Sequence, residues 1–98
     1  MTKVVDQWPV LAGQLERALK IDGHLDLATQ VKELTVLEDC GCGDSFCQSF
    51  YTAPKPEGSY GPGHSNLLLE PPWPGWLILD VVDGRIMFVE VLHRPPLD

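Results

Sequence analysis

The feature that most constrains this chain is an Asp83-Gly84 dipeptide between two apolar runs, residues 76–82 and 85–92. The runs are rich in the β-branched and aromatic residues that favour strands. Asp-Gly suits a two-residue type I′ turn, because both central positions of that turn need positive φ. The pattern therefore predicts a β-hairpin in which Val82 faces Arg85.

Both faces of this hairpin are predicted to be largely apolar. Since strand side chains alternate, one face would hold Leu77, Leu79, Val81, Ile86 and Phe88. The other face would hold Trp76, Ile78, Val82, Met87, Val89 and Val91. One face should pack on a helix, and the second needs a cover, either the proline-rich loop or another subunit.

An amphipathic segment near the start of the chain predicts that helix. Its apolar positions recur every three or four residues: Trp8, Leu11, Leu15, Ala18 and Leu19. We place the helix at about residues 7–21, with Asp6 as N-cap, Pro9 in the first turn and Gly23 as a left-handed stop. Gly13 costs roughly 1 kcal/mol relative to Ala inside a helix, which indicates either a close packing contact or simple tolerance.

The middle of the chain is less regular. Residues 24–36 fit either periodicity, and we expect a short helical turn through Ala28 and then a strand from about Val31 to Asp39. A second hairpin is expected around Gly43-Asp44. Its register would place Cys40 opposite Cys47 and Val36 opposite Tyr51, with the sulfurs of all three cysteines on one face.

The segment from about residue 54 to residue 74 is expected to be a loop, because it holds six of the nine prolines. Only residues 66–70 are expected to pair within it. Pro71-Pro72-Trp73-Pro74-Gly75 could dock in an aromatic groove, although a loop that covers the core is the commoner role. These elements predict one α+β domain over residues 1–98, with an N-terminal helix packed on an antiparallel sheet of four or five strands.

The charge balance limits the partners that the chain can have. Seven Lys and Arg residues against fourteen Asp and Glu residues give a net charge of −7, which argues against nucleic-acid binding. No apolar run approaches the roughly 20 residues that a membrane helix needs, and the first residues do not follow a signal-peptide pattern. We therefore expect a cytoplasmic protein with neither a nucleic-acid nor a membrane partner.

Three cysteines within eight residues, Cys40, Cys42 and Cys47, form the most distinctive motif. Zinc prefers four thiolate or imidazole ligands, so these thiols with His64 would complete a Cys3His site. The Cys-x-Cys-x4-Cys spacing differs from a standard zinc knuckle, and reduced thiols or a Cys40–Cys47 disulfide formed during purification are the alternatives. An oxidoreductase is disfavoured, because no Cys-x-x-Cys pair opens a helix and acidic residues flank the motif.

The chain lacks the usual patterns of an enzyme. The acidic residues are scattered, and no glycine loop carries the Lys-Ser or Lys-Thr that follows a phosphate-binding turn. A Cys47–His64 nucleophile and base would lack a third orienting group. We expect a non-enzymatic domain.

The run Cys40-Gly-Cys42-Gly-Asp44-Ser-Phe-Cys47-Gln-Ser-Phe-Tyr51-Thr resembles one found in small bacterial proteins to which no activity is assigned. The similarity spans about residues 28–94 and includes a Gly-x-Gly-His stretch and the Asp83-Gly84 hairpin. It implies a bacterial cytosolic protein and no catalytic residue. The leading hypothesis is a protein-interaction module that contacts a protein partner or itself, as a homodimer that buries the second hairpin face. The alternative is a zinc-binding domain with Cys40, Cys42, Cys47 and His64 as ligands.

Overall fold

The structure, a computed structural model, describes residues 2–41, 43–69 and 75–97 and shows an α+β fold over this part of the chain. The helices are α1 (Val4–Gln7), α2 (Pro9–Ile21) and α3 (Leu25–Gln30), with a 3₁₀ turn at Val31–Glu33. The strands are β1 (Thr2–Lys3), β2 (Thr35–Val36), β3 (Glu38–Asp39), β4 (Phe50–Tyr51), β5 (His64–Leu69), β6 (Trp76–Val82) and β7 (Arg85–Leu92).

The described strands form two antiparallel sheets. The main sheet has the order β3-β4-β7-β6-β5, and β1 pairs with β2 in a small sheet beside it. The long N-terminal helix α2 contributes its apolar stripe to the same buried cluster as the main sheet. The predicted α+β class, with an N-terminal helix on an antiparallel sheet of four or five strands, is confirmed.

The β6–β7 hairpin forms around Asp83-Gly84 as predicted, with Val82 opposite Arg85. Asp83 has a φ of 49° and Gly84 a φ of 82°, the positive values that a type I′ turn requires. The pairing of β6 with β7 is interrupted between Asp80 and Val81. Val81 faces Ile86, but Asp80, one residue earlier in β6, faces Phe88 and not Met87. Met87 is therefore the extra residue of a β-bulge.

The bulge makes the predicted assignment of side chains to faces wrong for β7. The extra residue shifts the alternation by one position, so Val89 and Val91 point into the core and Phe88 points away from it. The inner face of the main sheet comprises Phe50, Leu67, Leu69, Leu77, Leu79, Val81, Ile86, Val89 and Val91. The outer face comprises Tyr51, His64, Asn66, Leu68, Trp76, Ile78, Asp80, Val82, Phe88, Glu90 and Leu92.

Helix α2 ends as predicted but begins differently. Pro9 is its first residue and Trp8 precedes it, so Asp6 is not the N-cap and lies within the short helix α1. At the other end, Gly23 has a φ of 81° and donates its N–H to the carbonyl of Lys20, and His24 donates its N–H to the carbonyl of Leu19. These two bonds are a Schellman motif, which satisfies carbonyls that the helix leaves open.

Residues 24–36 are more helical than predicted, and the expected strand from Val31 is reduced to β2 and β3. A tertiary contact explains the preference. The Gln30 amide donates to the Gly84 carbonyl at 2.6 Å, and its oxygen accepts the N–H of Ile86 at 3.1 Å. Because Gln30 ends α3, these bonds latch the helix onto the turn of the β6–β7 hairpin.

The cysteine hairpin has a different register from the predicted one. Glu38, not Val36, lies opposite Tyr51, which is a shift of two residues, and the tight turn is at Ser45-Phe46 rather than at Gly43-Asp44. β4 lies between β3 and β7, and its Phe50 pairs with Val89 and is buried. The two-residue shift leaves Phe50 on the same face of the strand, because side chains alternate with period two.

Strand β5 begins two residues earlier than expected, at His64, and pairs along its length with β6. Gly63, which precedes it, has a φ of 83°, and an added Cβ there would collide with the Asp83 carboxylate. Glu70 and the Pro71–Pro74 part of the proposed docking segment lie outside the described residues. Within the described residues, no helix has the length and apolar character that crossing a membrane requires.

The helical glycine allows a stability prediction. An added Cβ at Gly13 would meet no atom within 4 Å, so tolerance rather than close packing explains this glycine. Gly13→Ala should stabilise the protein by about 0.5–1 kcal/mol in urea unfolding, because alanine loses less backbone entropy on forming a helix. Gly75→Ala is the contrasting variant. It should destabilise by about 2 kcal/mol or more, since the φ is 86° and the new Cβ would lie 2.6 Å from the Leu92 carbonyl oxygen. Equal effects of the two substitutions would contradict this interpretation.

Candidate functional site

The segment from Cys40 to Cys47, called the cysteine turn below, is anchored at both ends to the main sheet. Cys40 follows β3, and its N–H donates to the carbonyl of Ser49 at 3.0 Å. Cys47 closes the Asp44–Cys47 turn, with its N–H on the Asp44 carbonyl at 3.1 Å, and makes an isolated bridge to Leu92 at the end of β7. Cys42 lies outside the described residues.

The structure brings two of the predicted site sulfurs together. Cys40 Sγ and Cys47 Sγ are 3.2 Å apart, a contact longer than the 2.05 Å of a disulfide bond. The Cys47 thiol also donates to Ser49 Oγ at 3.3 Å, and that oxygen accepts the N–H of Val91 at 2.9 Å. Ser49 is buried. Its hydroxyl therefore links the Cys47 thiol to the backbone of β7 in the interior.

The two cysteines line a groove of about 680 Å³, a volume in the range of ligand sites. The other walls are Trp8 and Phe50, the Asp39 and Asp44 region of the turn, and the C-terminal Pro96 and Leu97. Asp39 is held by an N–H from Gly41 at 3.0 Å.

One glutamine fastens the C-terminal wall of the groove. The Gln48 side chain donates to the carbonyls of Arg94 and Pro95, and its oxygen accepts the N–H of Leu97 at 2.9 Å. The groove therefore lies between two anchored segments, the cysteine turn and the C-terminal tail.

His64, the fourth ligand of the predicted zinc site, is not brought to the cysteines. It begins β5, opposite Val82, whereas Cys47 bridges Leu92 at the other end of the β6–β7 hairpin. The intervening strand spacings and the length of β7 separate the two positions by roughly 20 Å. Among the described residues, no group of three or more His, Cys, Asp or Glu side chains is placed to hold a metal ion.

His64 instead belongs to a polar cluster on the outer face. Its Nε2 bonds Asp80 Oδ1 at 2.7 Å, and the Asn66 amide donates to the same oxygen at 2.9 Å. The ring of Tyr60 lies 4.9 Å from that of His64, and its hydroxyl is buried without a hydrogen-bond partner among the described residues. Burial, and then the nearby Asp80 and Tyr51, raise the pKa of Tyr60 above its ordinary value.

Sequence reasoning did not find this cluster. Its only local signal is a charged Asp80 inside the apolar run of β6. A half-buried charge in a strand needs a partner, but the partners of Asp80 come from β5 and are set by strand pairing.

An apolar patch, defined here as Phe46, Leu68 and Trp76, lies at the opposite end of the outer face from His64. Their exposed fractions are 42%, 53% and 57%. Phe46 stacks on His93 at 4.7 Å between ring centroids, and Trp76 meets the same ring edge-on at 5.8 Å. Leu68 faces Ile78, two residues from Trp76 on the same face, so the three side chains form one surface.

No protein-family model matches the chain, and neither the curated proteins nor the solved structures contain a significant match.

The buried serine beneath the cysteine pair is expected to stabilise the fold. Ser49→Ala should cost about 1–3 kcal/mol of unfolding free energy, because the N–H of Val91 loses its acceptor in the interior. Chemical denaturation checks this value. Ser59→Ala, in the exposed loop, is the control and should change stability by less than about 0.5 kcal/mol. A Ser49→Ala effect as small as that of the control would show that the hydrogen bond is dispensable.

Glu90 is expected to make stability depend on pH. Burial, and then the Asp80 carboxylate, raise its pKa above the usual value of 4.5. The unfolded chain then loses this proton at lower pH than the folded chain, so stability falls as pH rises through the folded pKa. Glu90→Gln should therefore be more stable than the wild type at pH 7 and no more stable at pH 4. Denaturation at the two pH values tests this, with the exposed Glu57→Gln as control, and a pH-independent difference would contradict it.

Proposed function

We propose that this protein is a non-enzymatic interaction module that pairs with a second copy of itself through the free edge of β5 and the adjoining apolar patch. The observation that carries the proposal is the state of β5. This six-residue strand pairs with β6 on one side, and no described residue supplies backbone hydrogen bonds on its other side.

The composition of β5 favours strand addition. Proteins protect exposed sheet edges with lysine, proline or inward charges, but residues 64–69 contain only the ionisable side chain of His64. The net charge of −7 is therefore carried elsewhere and does not concentrate repulsion at this edge. An added extended strand satisfies such a row of donors and acceptors with main-chain hydrogen bonds.

A second β5 fits this edge by symmetry. Opposite residues of an antiparallel pair share a face, so a pairing centred on Leu67 places Leu68 opposite Asn66 of the partner subunit. The inner faces of both copies then stay on one side of a continuous sheet. Leu68, the member of the apolar patch that lies on β5 and is exposed in the single chain, then lies beside Asn66 of the partner subunit.

Separation of the nucleophilic and basic side chains supports a non-enzymatic role. Cys47 and His64 lie at opposite corners of the main sheet. The described His64–Asp80 pair is hydrogen-bonded to Asn66 and covered by Tyr60, with no thiol or hydroxyl nucleophile bonded to it. A cytoplasmic location is part of this proposal, since three cysteines within eight residues do not resemble the evenly spread disulfide framework of a secreted protein.

The test compares two leucine variants. Leu68→Lys puts a charge on the β5 edge, while Leu25→Lys, on the exposed side of α3, changes charge equally at a distance. Native mass spectrometry and light scattering should show a dimer for the wild type and for Leu25→Lys. Leu68→Lys should weaken the dimer at least about tenfold, because a charge opposes strand addition.

Two results would overturn the proposal. One is a wild-type protein that stays monomeric at every concentration up to the millimolar range. The other is equal dimerisation of the two lysine variants, which would place the interface elsewhere. Thermal unfolding of both variants shows whether either result comes from loss of the fold.

A further inference from the structure

We propose that Cys40 and Cys47 form a reversible dithiol–disulfide site that a low-molecular-weight disulfide oxidises through the groove beside them. This assignment is independent of the β5 interface. It rests on the 3.2 Å contact between the two sulfurs and on the anchoring of both residues.

The backbone holds the pair in place. Cys40 is bonded to Ser49, and Cys47 is bonded to Asp44 and bridged to Leu92. In the observed register Cys47 is a diagonal neighbour of Cys40, a relation within reach of side chains. Bond formation needs the sulfurs to approach by about 1.1 Å, the difference from a 2.05 Å disulfide.

The sulfurs are also reachable. Both cysteines are partly buried rather than enclosed, and both line the 680 Å³ groove. That space admits a small thiol or disulfide, which is the co-reactant the chemistry requires.

The reaction balances in two steps. One cysteine thiolate, having lost its proton to solvent, attacks a sulfur of oxidised glutathione, forms a mixed disulfide and releases one glutathione thiolate. The thiolate of the second cysteine then attacks the protein sulfur of that mixed disulfide and releases the second glutathione. The protein loses two electrons and two protons, and one glutathione disulfide becomes two thiols.

The product would fasten the edge of the sheet. A bond between residues 40 and 47 ties the end of β3 to Cys47, which bridges Leu92 at the end of β7. Such a crosslink restricts the unfolded chain, so the oxidised form should unfold at a higher temperature, by about 10 °C.

The experiment uses the full chain with Cys42→Ser, which leaves only the proposed pair. After equilibration in glutathione buffers with a chelator, intact mass and thiol alkylation should show a loss of about 2 Da and of both thiols. The change should be independent of protein concentration, as expected for a bond within one chain. Cys40→Ser with Cys42→Ser is the matched control and should form only a mixed disulfide with glutathione.

The same oxidation of the wild-type protein shows whether the result depends on a folding defect of the Cys42→Ser variant. Partial oxidation should leave one alkylatable thiol per chain, and peptide mapping should place it at Cys42. A bond from Cys42 to either other cysteine, retention of both thiols in Cys42→Ser, or two glutathiones on one chain would overturn the proposal. A parallel sample without chelator and with equimolar zinc tests whether the cysteines bind a metal. One tightly bound zinc per chain, with thiols that resist oxidation, would also overturn the proposal.

Discussion

The β-bulge at Met87 is the constraint on which most of this structure depends. Without it, strict alternation would turn Val89 and Val91 outward and Phe88 inward. With it, both valines join Leu77 and Leu79 beneath the helices, where all four are buried. The extra residue thus converts a hairpin with two mixed apolar faces into a sheet with one continuous core face.

The same shift determines what the outer face can do. Phe88 becomes the neighbour of Asp80 and of Tyr51, whose ring it meets at 4.4 Å between centroids. Glu90 takes a position near Asp80, where its pKa is raised. One end of this face is therefore a polar cluster under Tyr60, and the other end is the apolar patch.

The cysteine turn illustrates how much of a site a sequence can predict. Convergence of thiols follows from their spacing on a hairpin, because side chains alternate with period two and a register error of two residues preserves the face. The Cys40–Cys47 contact is of this kind. The position of His64 is not, since it depends on which strand pairs with which across the whole sheet. The strand order β3-β4-β7-β6-β5 puts β5 at the edge of the sheet away from β3 and β4, so His64 bonds Asp80 and lies far from the cysteine sulfurs.

The sequence by itself determined the elements whose signals are local. The Asp83-Gly84 turn, the stripe of α2, the proline at its start and the glycine at its end each depend on neighbours within a few residues. Only the tertiary structure decided the strand order, the bulge at Met87, the continuation of the helical segment beyond Ala28 and the partners of Asp80. Each of these is the outcome of competition for the core between distant segments. The hydrogen bond from Gln30 to Gly84 joins residues more than fifty positions apart, so a pattern read over a few neighbouring residues does not include its contribution to stability.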